Sequence, residues 1–216
     1  MKMNLLRFLY AYLLLTFSSV LIAANNPEIP SPKNTLNDTR LISELRQGGY
    51  ILYFRHGKTD HDTFDTDREN LSDCSSQRLL SKEGRQEMIL IGNTIKKLGI
   101  KIGSVISSPY CRSIDTAIRA FGRAEINPDL KHTVIADEAT MHRQAKALQK
   151  MLSKVPSIEG TNDVLSAHTA NLQEAAGIWP KPEGVAIVFK AEGNSFKYIA
   201  TIQPTDWQRL LSIAIQ

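Results

Sequence analysis

Along most of the chain, apolar residues at helical spacing alternate with short continuous apolar runs. From Thr35 a polar stretch is interrupted by Leu41, Ile42 and Leu45, which predicts a helix that Gly48-Gly49 would end. Tyr50 to Phe54 (YILYF) is an apolar run of strand length. A long polar segment, from Gly57 to about Arg78, leads to a helix starting at Ser81. There Met88, Ile91, Ile95 and Leu98 recur on one face and Gly99 closes the element. Ser104 to Ser107 (SVIS) predicts a second strand, stopped by Pro109. Arg112 to Phe121, ending at Gly122, and Met141 to Val155 read as helices. Asp163 to Ala167 (DVLSA) is another buried strand ending in His168, and a short helix follows from Leu172 to Ala176. Val185 to Phe189 and Tyr198 to Ile202 predict a final strand pair before a last helix from Asp206.

Strands alternating with helices imply βαβ units. The expected fold is therefore α/β, a three-layer αβα sandwich around a mostly parallel sheet. At 216 residues, 42% hydrophobic and 22% charged, the chain suits one domain with one sizeable core rather than disorder or a fibrous repeat. The first residues differ from the rest. Lys2 and Arg7 precede an apolar run from Phe8 to Ile22, then Ala23-Ala24 and the polar Asn25-Asn26. This is the layout of a secretory signal peptide over residues 1–24. The proline-rich residues 25–34 read as a linker, and 35–216 as the domain. The expected location is periplasmic or secreted, with no stable membrane insertion after cleavage.

Removing residues 1–24 takes away Lys2 and Arg7 and no acid, lowering the formal net charge from +4 to +2. That excess is too weak to argue for nucleic acid or a membrane surface as a partner, and none is expected. The cysteines are Cys74 and Cys111, and they form no CxxC or Cys/His pattern that would suggest zinc. In an exported protein they suit one disulfide, and in a reducing compartment two free thiols.

Candidate chemistry gathers at strand ends. Arg55-His56 follows YILYF, Arg112 lies just past SVISSPYC, and His168 follows DVLSA. In open α/β sheets ligands bind beyond the carboxyl ends of the strands, so these residues are expected to converge. Two guanidiniums that pair bidentately with phosphate oxygens, beside two imidazoles, make an anion site. A neutral imidazole can attack phosphorus, so the set suits phosphoryl transfer through a phosphohistidine, with no metal or cofactor required. The acid-rich HGKTDHDTFDTD segment lacks EF-hand or zinc spacing and reads as a solvated loop. His132 and His142 read as surface residues.

These segments resemble the histidine phosphatase superfamily, the group of phosphoglycerate mutases and acid phosphatases. YFRHGKT (Tyr53 to Thr59) is similar to its Arg-His-Gly signature, and LSKEGR (Leu80 to Arg85) to the helix opening that follows. SSPYCRSIDTA (Ser107 to Ala117) resembles its second arginine segment, and SAHTANL (Ser166 to Leu172) its second histidine segment. The resemblance implies a phosphoglycerate mutase-like fold and a small phosphorylated substrate. His56 would be the nucleophile, with Arg55, Arg112 and His168 binding the phosphoryl oxygens. Thr59 would add a hydroxyl to phosphate or stabilise the turn. The proton donor has three candidates, because Thr169 stands where some members place an acid. These are Asp137-Glu138, Glu138 being preferred, and Glu183 in KPEGVAIVF. The resemblance also makes a Cys74–Cys111 bond a pin between the 57–78 loop and the wall carrying Arg112. Besides a phosphomonoesterase, a phosphomutase and a non-catalytic phosphate- or phosphoglycan-binding module on the same fold fit these residues.

Overall fold

The computed structural model describes residues 32–215; the segment read as a signal peptide lies outside the described residues. Three of the α-helices begin at side-chain caps that the sequence supplies. Asn37 accepts from the Arg40 N–H to open α1 (Asp38–Gln47), and Ser81 accepts from the Gly84 N–H to open α2 (Lys82–Lys97). Asp137 caps α4 (Glu138–Ser153) through the Thr140 N–H, which starts that helix three residues before the apolar periodicity does. Gly122 and Gly177 end α3 (Cys111–Phe121) and α5 (Thr169–Ala176) in the left-handed conformation that glycine adopts readily. The last helix is α6 (Asp206–Ala214).

One sheet of six strands runs in the order β3-β2-β4-β1-β5-β6. Its parallel part comprises β1 (Tyr50–Arg55), β2 (Ile102–Ser107), β3 (Glu125–Ile126) and β4 (Asn162–Ala167). β5 (Ala186–Ala191) is antiparallel to β1, and β6 (Phe196–Ile202) is antiparallel to β5. The architecture is the expected three-layer α/β sandwich. Strand β3 has no counterpart in the hydrophobic pattern, because its two residues are both exposed and only extend the edge beside β2.

Strand alternation sends β1 to both layers. Tyr50, Leu52 and Phe54 pack with α1, α2, α3 and α6, while Ile51 and Tyr53 pack with α4 and α5. A strand covered on both faces is apolar throughout, which is why YILYF carries no alternation. β4 lies between β1 and β2, with Arg55 level with Ala167 and Ser107 level with Ser166. Three strands therefore deliver their next residues to one height along the same sheet edge.

The LSKEGR segment has a packing reason. The Ser81 N–H donates to the Lys58 carbonyl at 2.9 Å, tying the start of α2 to the chain leaving β1. A Cβ on Gly84 would stand 2.0 Å from that carbonyl oxygen, so only glycine lets the two backbones cross.

Candidate active site

The floor of the crevice is built from the strand tips. The His56 N–H donates to the Ala167 carbonyl at 3.0 Å, and the Gly184 N–H donates to the His56 carbonyl at 2.8 Å. His168 is the N-cap residue of α5, and Tyr53 donates its hydroxyl to the His168 carbonyl at 2.6 Å. The two imidazoles end with ring centroids 5.5 Å apart. Arg112 lies in the first turn of α3 with its guanidinium carbon 4.3 Å from the Tyr110 ring centre. His56, His168 and Arg112 are 3%, 0% and 2% exposed, so the group sits inside the protein rather than on a rim.

Burial sets the protonation of the histidines. It is the largest reason that the His56 pKa falls well below the ordinary imidazole value, and the Arg112 charge adds to it. His168 is depressed in the same way, by burial and then by His132 and Arg112. Nδ1 of His56 lies 3.0 Å from the Gly57 carbonyl, an acceptor, so the ring proton belongs on Nδ1 and Nε2 keeps its lone pair. Nε2 of His168 pairs with Ser108 Oγ at 2.8 Å, while its Nδ1 is buried without a partner among the described residues.

The 57–78 loop forms the roof and carries two carboxylate–arginine contacts together with the β5 approach. Asp65 accepts from Arg112 Nη1 at 2.9 Å and from the Arg78 N–H at 2.9 Å. Glu183, just before β5, accepts from the Thr59 N–H and hydroxyl at 3.0 Å each, and lies 3.3 Å from Arg55 Nη2. His61 and Arg78 of the loop reach the same carboxylate at 3.3 and 3.8 Å. Burial would raise both carboxyl pKa values. For Asp65 the Arg78 N–H and Arg112 prevail, for Glu183 the Thr59 donors and Arg55, and both are held below the usual range.

Cys74 and Cys111 are joined by a disulfide, and Gln77 Oε1 accepts the Cys111 N–H at 2.9 Å. The base of the loop is thus pinned to the start of α3, one residue from Arg112. Two cavities are lined by residues of this region. One of about 630 Å³ is lined by Arg55, Lys58, His61, Glu87, Lys181 and Glu183. The other, of about 310 Å³, is lined by Phe64, Asp65, Arg68, Arg78, Arg112 and His132.

The tungstate complex of the protein histidine phosphatase SixA superposes with a TM-score of 0.53 at 16% identity, covering 73% of this chain and 98% of that one. A candidate alpha-ribazole-5'-P phosphatase of Escherichia coli K-12 superposes with a TM-score of 0.52 at 12% identity, covering 72% of this chain and 97% of that one. The fold is that of the histidine phosphatase superfamily. By sequence, no family model and no curated protein matches the chain.

On this histidine phosphatase fold, Arg55, His56, Arg112 and His168 come together as the strand ends required. Glu183 joins them. Glu138 does not: it opens α4, its side chain is 85% exposed, and it reaches only His142 one turn on. Asp137 is engaged as the cap of that helix. The preference for Glu138 is corrected accordingly. The Thr59 hydroxyl is committed to Glu183, so Thr59 orients that carboxylate instead of facing phosphate. His132, read as a surface residue, packs on His168 with ring centroids 4.8 Å apart. Arg78, Gln77 and Asp65 also reach the site, although nothing in the polar 57–78 segment marks them by period. Other acids of that segment shape its turns: Asp60, Asp67 and Asp73 each accept backbone N–H groups within three residues. Among the described residues no group of three His, Cys, Asp or Glu side chains stands close enough to hold a metal.

Proposed function

We propose that this protein is an exported phosphomonoesterase that works through a phosphohistidine on His56. The observation that carries the reading is the pair of buried, neutral imidazoles 5.5 Å apart, with Arg112 against them. Nε2 of His56 attacks phosphorus, the P–O ester bond breaks, and the leaving alkoxide takes a proton. Water then attacks phosphorus, the P–N bond breaks, and inorganic phosphate leaves with His56 neutral again. Arg55, Arg112 and His168 donate to the phosphoryl oxygens as charge builds on them, and such preorganised donors are the main source of acceleration in this chemistry. With the Ser108 hydroxyl donating a hydrogen bond to His168 Nε2, the ring proton sits on the unpartnered Nδ1, ready to donate.

Glu183 is the proton donor that the geometry favours. It is ionised at rest, so it must first gain a proton. A phosphate dianion entering beside Arg55 would supply the reason, because it competes for the guanidinium and repels the carboxylate. Export rests on the N-terminal pattern and agrees with the disulfide, which an oxidising compartment maintains. The test is hydrolysis of p-nitrophenyl phosphate by the purified protein at mildly acidic pH, with and without a chelator. Turnover without added metal that disappears in His56→Ala is expected. Activity that survives that substitution, or that a chelator removes, would overturn the mechanism. Phosphate binding without any turnover would point to a binding module, a reading favoured by the ionised state of Glu183.

A further inference from the structure

His132 belongs to no segment so far given a role, yet the fold brings it to the middle of the site. It sits between the short turn at Pro128–Leu130 and α4, and its ring packs 4.8 Å from His168 and 6.2 Å from Tyr110. Two features separate it from a histidine that merely fills space. The Val134 N–H donates to its Nδ1 at 3.1 Å, which makes that nitrogen the acceptor and leaves the ring proton on Nε2. Nε2 itself has no hydrogen-bond partner among the described residues, and the ring lines the 310 Å³ cavity that also holds Arg112, Arg78 and Asp65. A backbone amide therefore aims a neutral N–H donor into the crevice beside the arginine read as half of the phosphate clamp.

We infer that His132 is a further substrate-binding residue, whose Nε2–H donates to an oxygen of the phosphoryl group. The inference rests on the phosphatase reading and deepens it. Burial, followed by the Arg112 charge, lowers the His132 pKa to about 4, so the ring stays neutral and keeps the backbone-fixed tautomer across the mildly acidic range. A neutral donor has a use here. It adds a hydrogen bond without adding charge to a site where Arg55, Arg78 and Arg112 already stand close together, and it orients the oxyanion from the His168 side.

Three variants of the full chain test this: His132→Phe keeps ring packing and removes the donor, His132→Gln puts an amide N–H near Nε2, and His132→Asn puts one near Nδ1. The measurements are kcat and KM on p-nitrophenyl phosphate, the inhibition constant for inorganic phosphate, and the thermal midpoint. His132→Phe is expected to weaken phosphate inhibition and kcat/KM about tenfold at an unchanged midpoint, as the loss of one hydrogen bond to a charged group would. His132→Gln should recover most of that loss and His132→Asn should not. Wild-type values in His132→Phe, or equal recovery by Gln and Asn, would overturn the assignment. Should the phenylalanine variant not fold, the Gln–Asn difference decides alone. A wild-type protein that neither turns over nor binds phosphate would instead remove the phosphatase reading beneath it.

Discussion

The floor and the roof of the crevice are made by different physics. His56 and His168 stand on the tips of β1 and β4, adjacent parallel strands in register, whose side chains are buried in the layers on both faces. The roof, from Gly57 to Arg78, contains no strand or α-helix longer than a turn and is held by polar contacts. Those contacts are capped turns, one disulfide, the Asp65–Arg112 pair, and the Thr59 hydrogen bonds to Glu183, which itself pairs with Arg55. The floor is rigid because removing any residue from it leaves a cavity or an unmatched strand. The roof is held by groups that a phosphate can outcompete. Asp65 of the roof and Glu183 beneath it rest on the same guanidiniums that an anionic substrate would take.

The largest expected effect lies in the floor. Losing the nucleophile in His56→Ala should reduce turnover on p-nitrophenyl phosphate by on the order of a thousandfold or more, since removal of a covalent nucleophile is among the severest single changes to an enzyme. The fold should survive, as judged by an unchanged circular dichroism spectrum. Next comes the contact between floor and roof. Glu183→Gln should lower kcat on an alkyl phosphate roughly a hundredfold and affect p-nitrophenyl phosphate far less, because a good leaving group needs little protonation. Equal losses on both substrates would assign Glu183 to holding Arg55 and Thr59 in place.

Within the roof, Cys74→Ser should lower stability to denaturant by about 2–4 kcal/mol, the usual worth of such a cross-link. Reductant should bring the wild type toward the same midpoint. An unchanged midpoint would mean that Gln77 and the capped turns hold the loop without the bond. The smallest change is expected from Asp65→Asn, which keeps an acceptor on Arg112 but removes the negative charge. Phosphate should then inhibit several-fold more tightly, because it no longer displaces a carboxylate from the arginine. Weaker inhibition would show that Asp65 positions Arg112 instead of competing for it.

The sequence was legible where packing is periodic. YILYF and DVLSA are buried on both faces and SVIS at alternate positions, and the residue after such a run meets the sheet edge whatever the loops do. That logic reached Arg55, His56 and His168 directly, and Arg112 as the first turn beyond β2. It failed for Glu138, whose place near the Arg112 segment in sequence says nothing about which way a capped helix start points. It also failed for His132, since a lone histidine in a turn carries no period.

What the sequence by itself determined is therefore the α/β sandwich, the sheet-edge quartet, and the presence of two cysteines able to pair. Only the tertiary structure decided which acid meets Arg55, that the Thr59 hydroxyl orients this acid, that Asp65 rests on Arg112, and that His132 packs on His168. The reason is physical. Burial of a strand or helix face repeats along the chain and leaves a pattern, whereas polar contacts across a loop join residues whose spacing in sequence is set by nothing local. Their partners are settled when the chain closes over the floor.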